Sequence, residues 1–290
     1  MKIELKLKAL AVAAIMAAGT PAFAAIDGGP SGNGELLLNV RYYGGDSATT
    51  GGDDISGLFD LGFKMDDMIA ANGQAGYTKS WDLKTGDYGA SWSQLTSFVG
   101  ASNLGKMEFN VIALDDTDRN LKGGSRYLTT GNVDAFPSQG NANVKTMNGM
   151  DKYVDANNSR GTHGTVVNGA SVATATDPSD TFFGAINGFG QGDTWLQKTT
   201  VDTTQAVGTD QNFWFLTTSS TSNLAQATKT PFGFDLNHDG TIGAGEFTKV
   251  SLSEAGVLTI TSPVPEAETW AMLLAGLGML SMIVRRRTGV

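Results

Sequence analysis

Apolar and polar residues alternate most cleanly over 35–43, which reads Glu-Leu-Leu-Leu-Asn-Val-Arg-Tyr-Tyr. In an extended chain successive side chains point to opposite faces. Leu36, Leu38, Val40 and Tyr42 therefore share one greasy side, and Leu37, Asn39, Arg41 and Tyr43 the other. The two-residue period returns over 58–65 through Phe59, Leu61 and Phe63, and strands are also expected over 78–83 around Trp81, 106–114 and 126–130. Phe213, Trp214 and Phe215 mark a buried strand over 212–217. The segments 247–252 and 257–260 read as a hairpin turned at Glu254-Ala255-Gly256. Helical spacing predicts three short helices. The first covers 66–72, with Asp66 as cap and Gly73 as stop. The second covers 91–99 and carries Trp92, Leu95, Phe98 and Val99, and the third covers 144–154. The stretches 159–180 and 217–230 show no period and are expected to be loops. Many short strands, few helices and no internal repeat predict a mainly β body, sandwich or jelly-roll-like.

Both ends of the chain break this pattern. Lys2, Lys6 and Lys8 precede an apolar run over 9–18 and a small-x-small site, Ala22-Phe23-Ala24. That order predicts a secretory signal peptide over 1–24, cut after Ala24, with a permanent N-terminal anchor as the alternative. At the other end, 262–290, a Pro-rich linker leads into an uncharged run over 270–284, then Arg285-Arg286-Arg287. As a helix the run spans about 22 Å. This is short of the roughly 30 Å hydrocarbon core, a deficit that bilayer thinning and snorkelling can cover. Trp270 suits the headgroup level on one side, and the three arginines suit the cytoplasmic side. A transmembrane helix over 270–284 is expected, with a buried terminal helix as the alternative. The remaining body, 25–261, is the expected ectodomain.

The residues Val264-Pro265-Glu266, the helix with Leu273-Leu274-Ala275-Gly276-Leu277, and the arginine cluster together resemble a PEP-CTERM sorting signal, also known as an ice-binding-protein C-terminal domain. Ala267 stands where that family usually has a second proline. The resemblance implies a Gram-negative exported protein handled by an exosortase-type enzyme near the Pro-Glu motif. It also implies membrane attachment before processing, and association with extracellular polysaccharide or biofilm matrix at the cell surface. It covers about a tenth of the chain and implies nothing about what the body binds.

Composition adds limits. No cysteine is present, so the core must hold without disulfides. Glycine, at 38 residues, is about twice as frequent as usual, which favours turns between short strands. The formal net charge is −9, and removing the six basic and three acidic residues of the two ends leaves the body near −12. Such a surface argues against nucleic acid or anionic lipid as a partner.

One stretch carries recognisable chemistry. Asp235-Leu-Asn237-His-Asp239-Gly240-Thr241-Ile-Gly-Ala-Gly-Glu246 matches the spacing of an EF-hand calcium loop. Asp235, Asn237 and Asp239 alternate as hard-oxygen donors, Gly240 makes the turn, the Thr241 carbonyl faces inward, and Glu246 offers two oxygens. The flanks, Pro231-Phe232-Gly233 and 248–252, do not read as helices. The loop is therefore either an isolated structural calcium site in a β framework or an acidic turn with no tight site. Asp115, Asp116 and Asp118 are a weaker cation candidate. Trp81, Trp92, Trp195 and Trp214 could build a sugar-stacking platform, or fill the core. His163 and His238 sit in no catalytic motif. The leading expectation is a non-enzymatic surface or matrix protein. A calcium-dependent carbohydrate-binding or adhesion module is the alternative, and a secreted polysaccharide hydrolase comes third.

Overall fold

The computed structural model describes residues 25–27, 32–44, 52–117, 121–145, 149–185, 189–190, 203–265, 274–275 and 277–279. Their strands are β1 (Glu35–Tyr43), β2 (Asp54–Lys64), β3 (Thr78–Asp82), β4 (Glu108–Asp115), β5 (Arg126–Gly131), β6 (Ala170–Thr174), β7 (Gln205–Ala206), β8 (Gln211–Thr217), β9 (Thr228–Pro231), β10 (Lys249–Leu252) and β11 (Val257–Thr261). The α-helices are short: α1 (Met65–Ala71), α2 (Gly89–Val99), α3 (Asn141–Lys145) and α4 (Gly149–Asn158). The expected signal peptide, 1–24, lies outside the described residues.

Hydrogen bonding runs unbroken through one antiparallel sheet in the order β3-β11-β10-β8-β5-β4-β1-β2-β6, with β7 paired to β4 and β9 to β8. The expectation of a sandwich or jelly roll is corrected here. One sheet curls instead of two sheets stacking. Twist between neighbouring strands accumulates over so many strands and brings the ends of a wide sheet round toward each other. Trp81 on β3, at one end of the order, donates its indole N–H to the Leu61 carbonyl of β2, near the other end, at 3.0 Å. Helix α2 packs against β2 in the same region: Phe59 meets Trp92 at 6.1 Å between ring centroids. Tyr88, just before α2, donates its hydroxyl to the Asp60 carbonyl at 2.6 Å.

Strand β1 shows why both faces are filled. Leu36, Leu38, Val40 and Tyr42 enter the larger apolar cluster, inside the curl, together with Phe59, Trp92, Leu95, Phe109 and Leu258. Leu37 enters a second cluster on the opposite face, with Leu58, Ile112, Tyr153, Phe183 and Trp214. Burying each such large apolar side chain contributes about 1.5–3 kcal/mol. The second face of β1 also buries polar groups, and each finds a partner. Asn39 donates to the Asn110 side chain directly opposite on β4, at 3.0 Å. Arg41, 1% exposed, pairs with Glu108 at 2.8 Å and donates to the Gly190 carbonyl at 2.8 Å. Its guanidinium also lies 4.7 Å from the centre of the Tyr43 ring and 5.5 Å from that of Phe183. The charge is thus paired and hydrogen-bonded, which burial requires.

Two buried titratable groups pull stability in opposite directions. Burial raises the Asp60 carboxyl from 3.8 to about 7, helped by the Glu35 carboxylate and opposed by the Gly62 N–H and Lys64. The fold therefore holds a proton that the unfolded chain has lost, and stability falls as pH rises from about 4 to 7. Burial lowers His163 to about 4 from its usual 6.5. Its contribution is present above pH 6.5 and is lost as pH falls toward 4. Each group exchanges one proton, so the two slopes cancel between about pH 4 and 6.5. Asp60→Asn should remove one slope. Denaturant unfolding of the variant should show stability rising with pH through that window, and at pH 8 it should exceed the wild type by a margin on the order of 4 kcal/mol.

Candidate functional site

The registers Lys249 with Thr261 and Thr261 with Thr78 bring the start of β10, the end of β11 and the start of β3 to one end of the sheet. Two candidate sites meet there: the acidic loop leading into β10 and the tail leaving β11.

The loop is the tip of a small excursion inserted between β9 and β10, which pair end to end with β8. Gly233 bridges Phe247, the Phe234 N–H reaches the Glu246 carbonyl at 2.9 Å, and the Thr248 N–H reaches the Phe232 carbonyl at 2.8 Å. The flanks are extended, as the sequence suggested, so no helix pair frames the loop. Inside it, side-chain oxygens accept from the loop's own backbone. Asp235 accepts from Asp239 at 3.2 Å and Gly240 at 2.8 Å. Asn237 accepts from the Asp239 N–H at 2.9 Å. Asp239 accepts from the Thr241 N–H at 2.8 Å and its hydroxyl at 2.6 Å. Those Thr241 bonds hold the Asp239 carboxyl below its usual range. Gly240, at φ +85°, makes the reversal that only glycine adopts without strain.

Glu246 is 5% exposed and is the loop's anchor. One carboxylate oxygen accepts the N–H groups of Leu236 at 3.0 Å and Asn237 at 3.2 Å, and the other that of Gly243 at 2.7 Å. The donor types and their spacing fit a calcium ion. In this arrangement, however, no three acidic or histidine side chains among the described residues stand close enough together to hold a metal. Glu246 fastens the loop to itself instead of reaching toward Asp235 and Asp239. Beside the loop a groove of about 640 Å³ opens toward the end of α1, bounded by Asn72, Gly73, Thr230, Asp235 and His238.

The other candidates separate. Trp81, Trp92 and Trp214 are 9%, 4% and 4% exposed, so these three are core residues and make no stacking platform. Trp195 lies outside the described residues. Asp115 is taken by Arg126, whose guanidinium approaches it to 2.5 Å and also bridges to Asp66 at 2.6 Å. Asp118 lies outside the described residues. His163 is buried against Ser171 at 3.2 Å, and Ser171 in turn donates to Asn157 at 2.8 Å. With no opening to solvent, this chain serves packing.

At the tail, the β3–β11 ladder runs beyond the strands. The Ser262 N–H reaches the Tyr77 carbonyl at 2.8 Å, and the Gly76 N–H reaches the Pro263 carbonyl at 2.9 Å. The hydroxyls of Thr248 and Ser262 lie 2.7 Å apart. Sequence reasoning placed the end of the body at 261 and missed this extension. Ser262 and Pro263 carry no periodic signal, and their partners lie far away in the chain. Glu266, Trp270 and Arg285 to Arg287 lie outside the described residues, as does most of the expected helix over 270–284. Residues 274–275 and 277–279 are helical, and Leu274, Leu277 and Met279 are exposed. No helix among the described residues is long and apolar enough to cross a membrane.

Residues 263–287 match the family model of the PEP-CTERM protein-sorting motif. The chain thus carries the sorting signal of proteins processed by exosortases. No curated protein and no solved structure matches the chain.

The anchoring role of Glu246 is testable without any metal. Glu246→Ala leaves three backbone N–H groups without their acceptor, and unfolding in chelator should show a loss of about 2–4 kcal/mol. Glu246→Gln, which keeps one acceptor oxygen, should cost about half as much.

Proposed function

We propose that this chain is an exported, non-enzymatic cell-surface or extracellular-matrix protein of a Gram-negative bacterium, delivered by the PEP-CTERM route. The observation that carries this reading is the sorting motif over 263–287. The basic and apolar N-terminus supports export, and the acidic, cysteine-free body suits a soluble extracellular module. The tail anchors the chain in the inner membrane until an exosortase-type enzyme removes it. The core positions of Trp81, Trp92 and Trp214 take support from the carbohydrate-binding alternative, and the burial of His163 offers nothing to a hydrolase.

Within this reading the Asp235 loop is a structural calcium site of weak affinity, with Asp235, Asn237, Asp239, the Thr241 carbonyl and Glu246 as ligands. Extracellular modules fill such sites at roughly 10⁻⁴ to 10⁻³ M calcium. The Gly240 reversal and the inward-bonded oxygens of Asp235, Asn237 and Asp239 give the loop the tight turn such a site uses.

Two measurements test the proposal. Truncation after Ser262 should leave export intact and shift the protein from the membrane and surface fractions to the soluble periplasmic fraction. An unchanged distribution would remove the sorting reading. Calcium titration by calorimetry should give heats that vanish in Asp235→Asn/Asp239→Asn, a pair in which Asp235 is half-buried and Asp239 exposed. Heats identical to those of the wild type would retire the calcium site.

A further inference from the structure

The sorting motif begins with residues that the body still holds. Strands β3 and β11 pair up to Thr78 with Thr261, and the ladder then adds two bonds, Ser262 to Tyr77 and Gly76 to Pro263. Gly76 sits at φ +67°, where a side chain would be strained. A Cβ there would also stand 2.7 Å from a Val264 methyl, so the tail lies directly over this glycine. Thr248 and Ser262, 1% and 4% exposed, add a buried hydroxyl pair. Pro263 has no N–H and can donate nothing further to the ladder. Pro265 and Glu266 follow at once, with no linker between the last held residue and the motif.

We propose that Gly76, Tyr77 and Thr248, all outside the motif, are positioning residues for tail processing. They latch residues 262–264 onto the body, and the latch must open before the processing enzyme can engage the chain. Enzymes that bind an extended peptide do so through its main-chain N–H and C=O groups. The Ser262 N–H and the Pro263 carbonyl are such groups, and the body already occupies them. Body and enzyme therefore compete for one stretch of backbone, and processing proceeds at a rate set by the fraction of chains in which residues 262–264 have peeled away. Opening costs two ladder bonds, one hydroxyl pair and the Val264 contact, and it disturbs no core side chain.

The proposal rests on the sorting reading, and one experiment distinguishes the two. The chain has no cysteine, so Thr248→Cys/Ser262→Cys creates a single disulfide where the two hydroxyls now lie 2.7 Å apart. Full-length wild type and variant are followed by pulse-chase in cells that carry the processing enzyme, with loss of the tail read from gel mobility. The cross-linked variant should retain its tail and lose it once reductant is added. The loosened pair Thr248→Val/Ser262→Ala removes both hydroxyls together, which leaves no buried group unpaired, and should be processed roughly five-fold faster, the equivalent of one net hydrogen bond. Wild type, cross-linked and loosened chains losing the tail at equal rates would overturn the latch and leave the sorting reading standing. A wild-type chain that keeps its tail throughout would overturn both.

Discussion

The indole of Trp81 and the carbonyl of Leu61 join two regions of the sheet that are far apart in strand order. A flat sheet of this width would present two long apolar faces and two open edges to water, which invites aggregation. Curling solves most of that problem in one step. The larger cluster becomes the inside of the curl, shared by residues from β1, β2, β4, β10 and β11. The outer face then needs its own cover, supplied by α3, α4 and the segment holding Phe182 and Phe183. With no disulfide anywhere, this double burial is what holds the chain.

Most of the strands were legible because they carry the period that the pleat imposes. β1 was read at its true bounds, and β3, β8 and the β10–β11 hairpin within a residue or two. β6 and β9 were not legible. Ala170–Thr174 is built of small and hydroxyl residues that show no greasy face, and it forms a strand because β2 offers it a partner. Thr228–Pro231 owes its strand to β8 in the same way. Both are cases in which tertiary pairing overrides a weak local preference. The single curled sheet was not legible either, since strand periodicity says which face is apolar and nothing about which strand comes next. The sequence placed one apolar face on β1, whereas the structure covers both. Asn39 and Arg41 read as wet because their partners, Asn110 and Glu108, stand about seventy residues away.

The site was legible in its chemistry and not in its connections. The spacing of Asp235, Asn237 and Asp239 revealed a loop, and the backbone follows the tight turn that spacing suggests. The use of Glu246 as an internal clamp could not be inferred, because the same carboxylate can bind an ion or three N–H groups and only the fold decides which. The sorting motif was fully legible as a string, being a short linear signal. Its attachment to the body was invisible, since Gly76 lies almost two hundred residues upstream of Pro263.

Placing the acidic loop and the tail exit at one end of the sheet has a physical consequence. Glu246 clamps the loop and stands two residues before Thr248, whose hydroxyl meets Ser262. The Phe232 carbonyl binds Thr248 from the loop's other stem, and the Gly233 carbonyl binds Gly73 close to the Gly76 turn. The loop and the tail's point of attachment are thus linked through two or three hydrogen-bonded groups on the same stems. The far edge of the sheet, at β6, shares none of these contacts. The end of the sheet from which the sorting motif leaves is thus held to the body by a few separate hydrogen bonds.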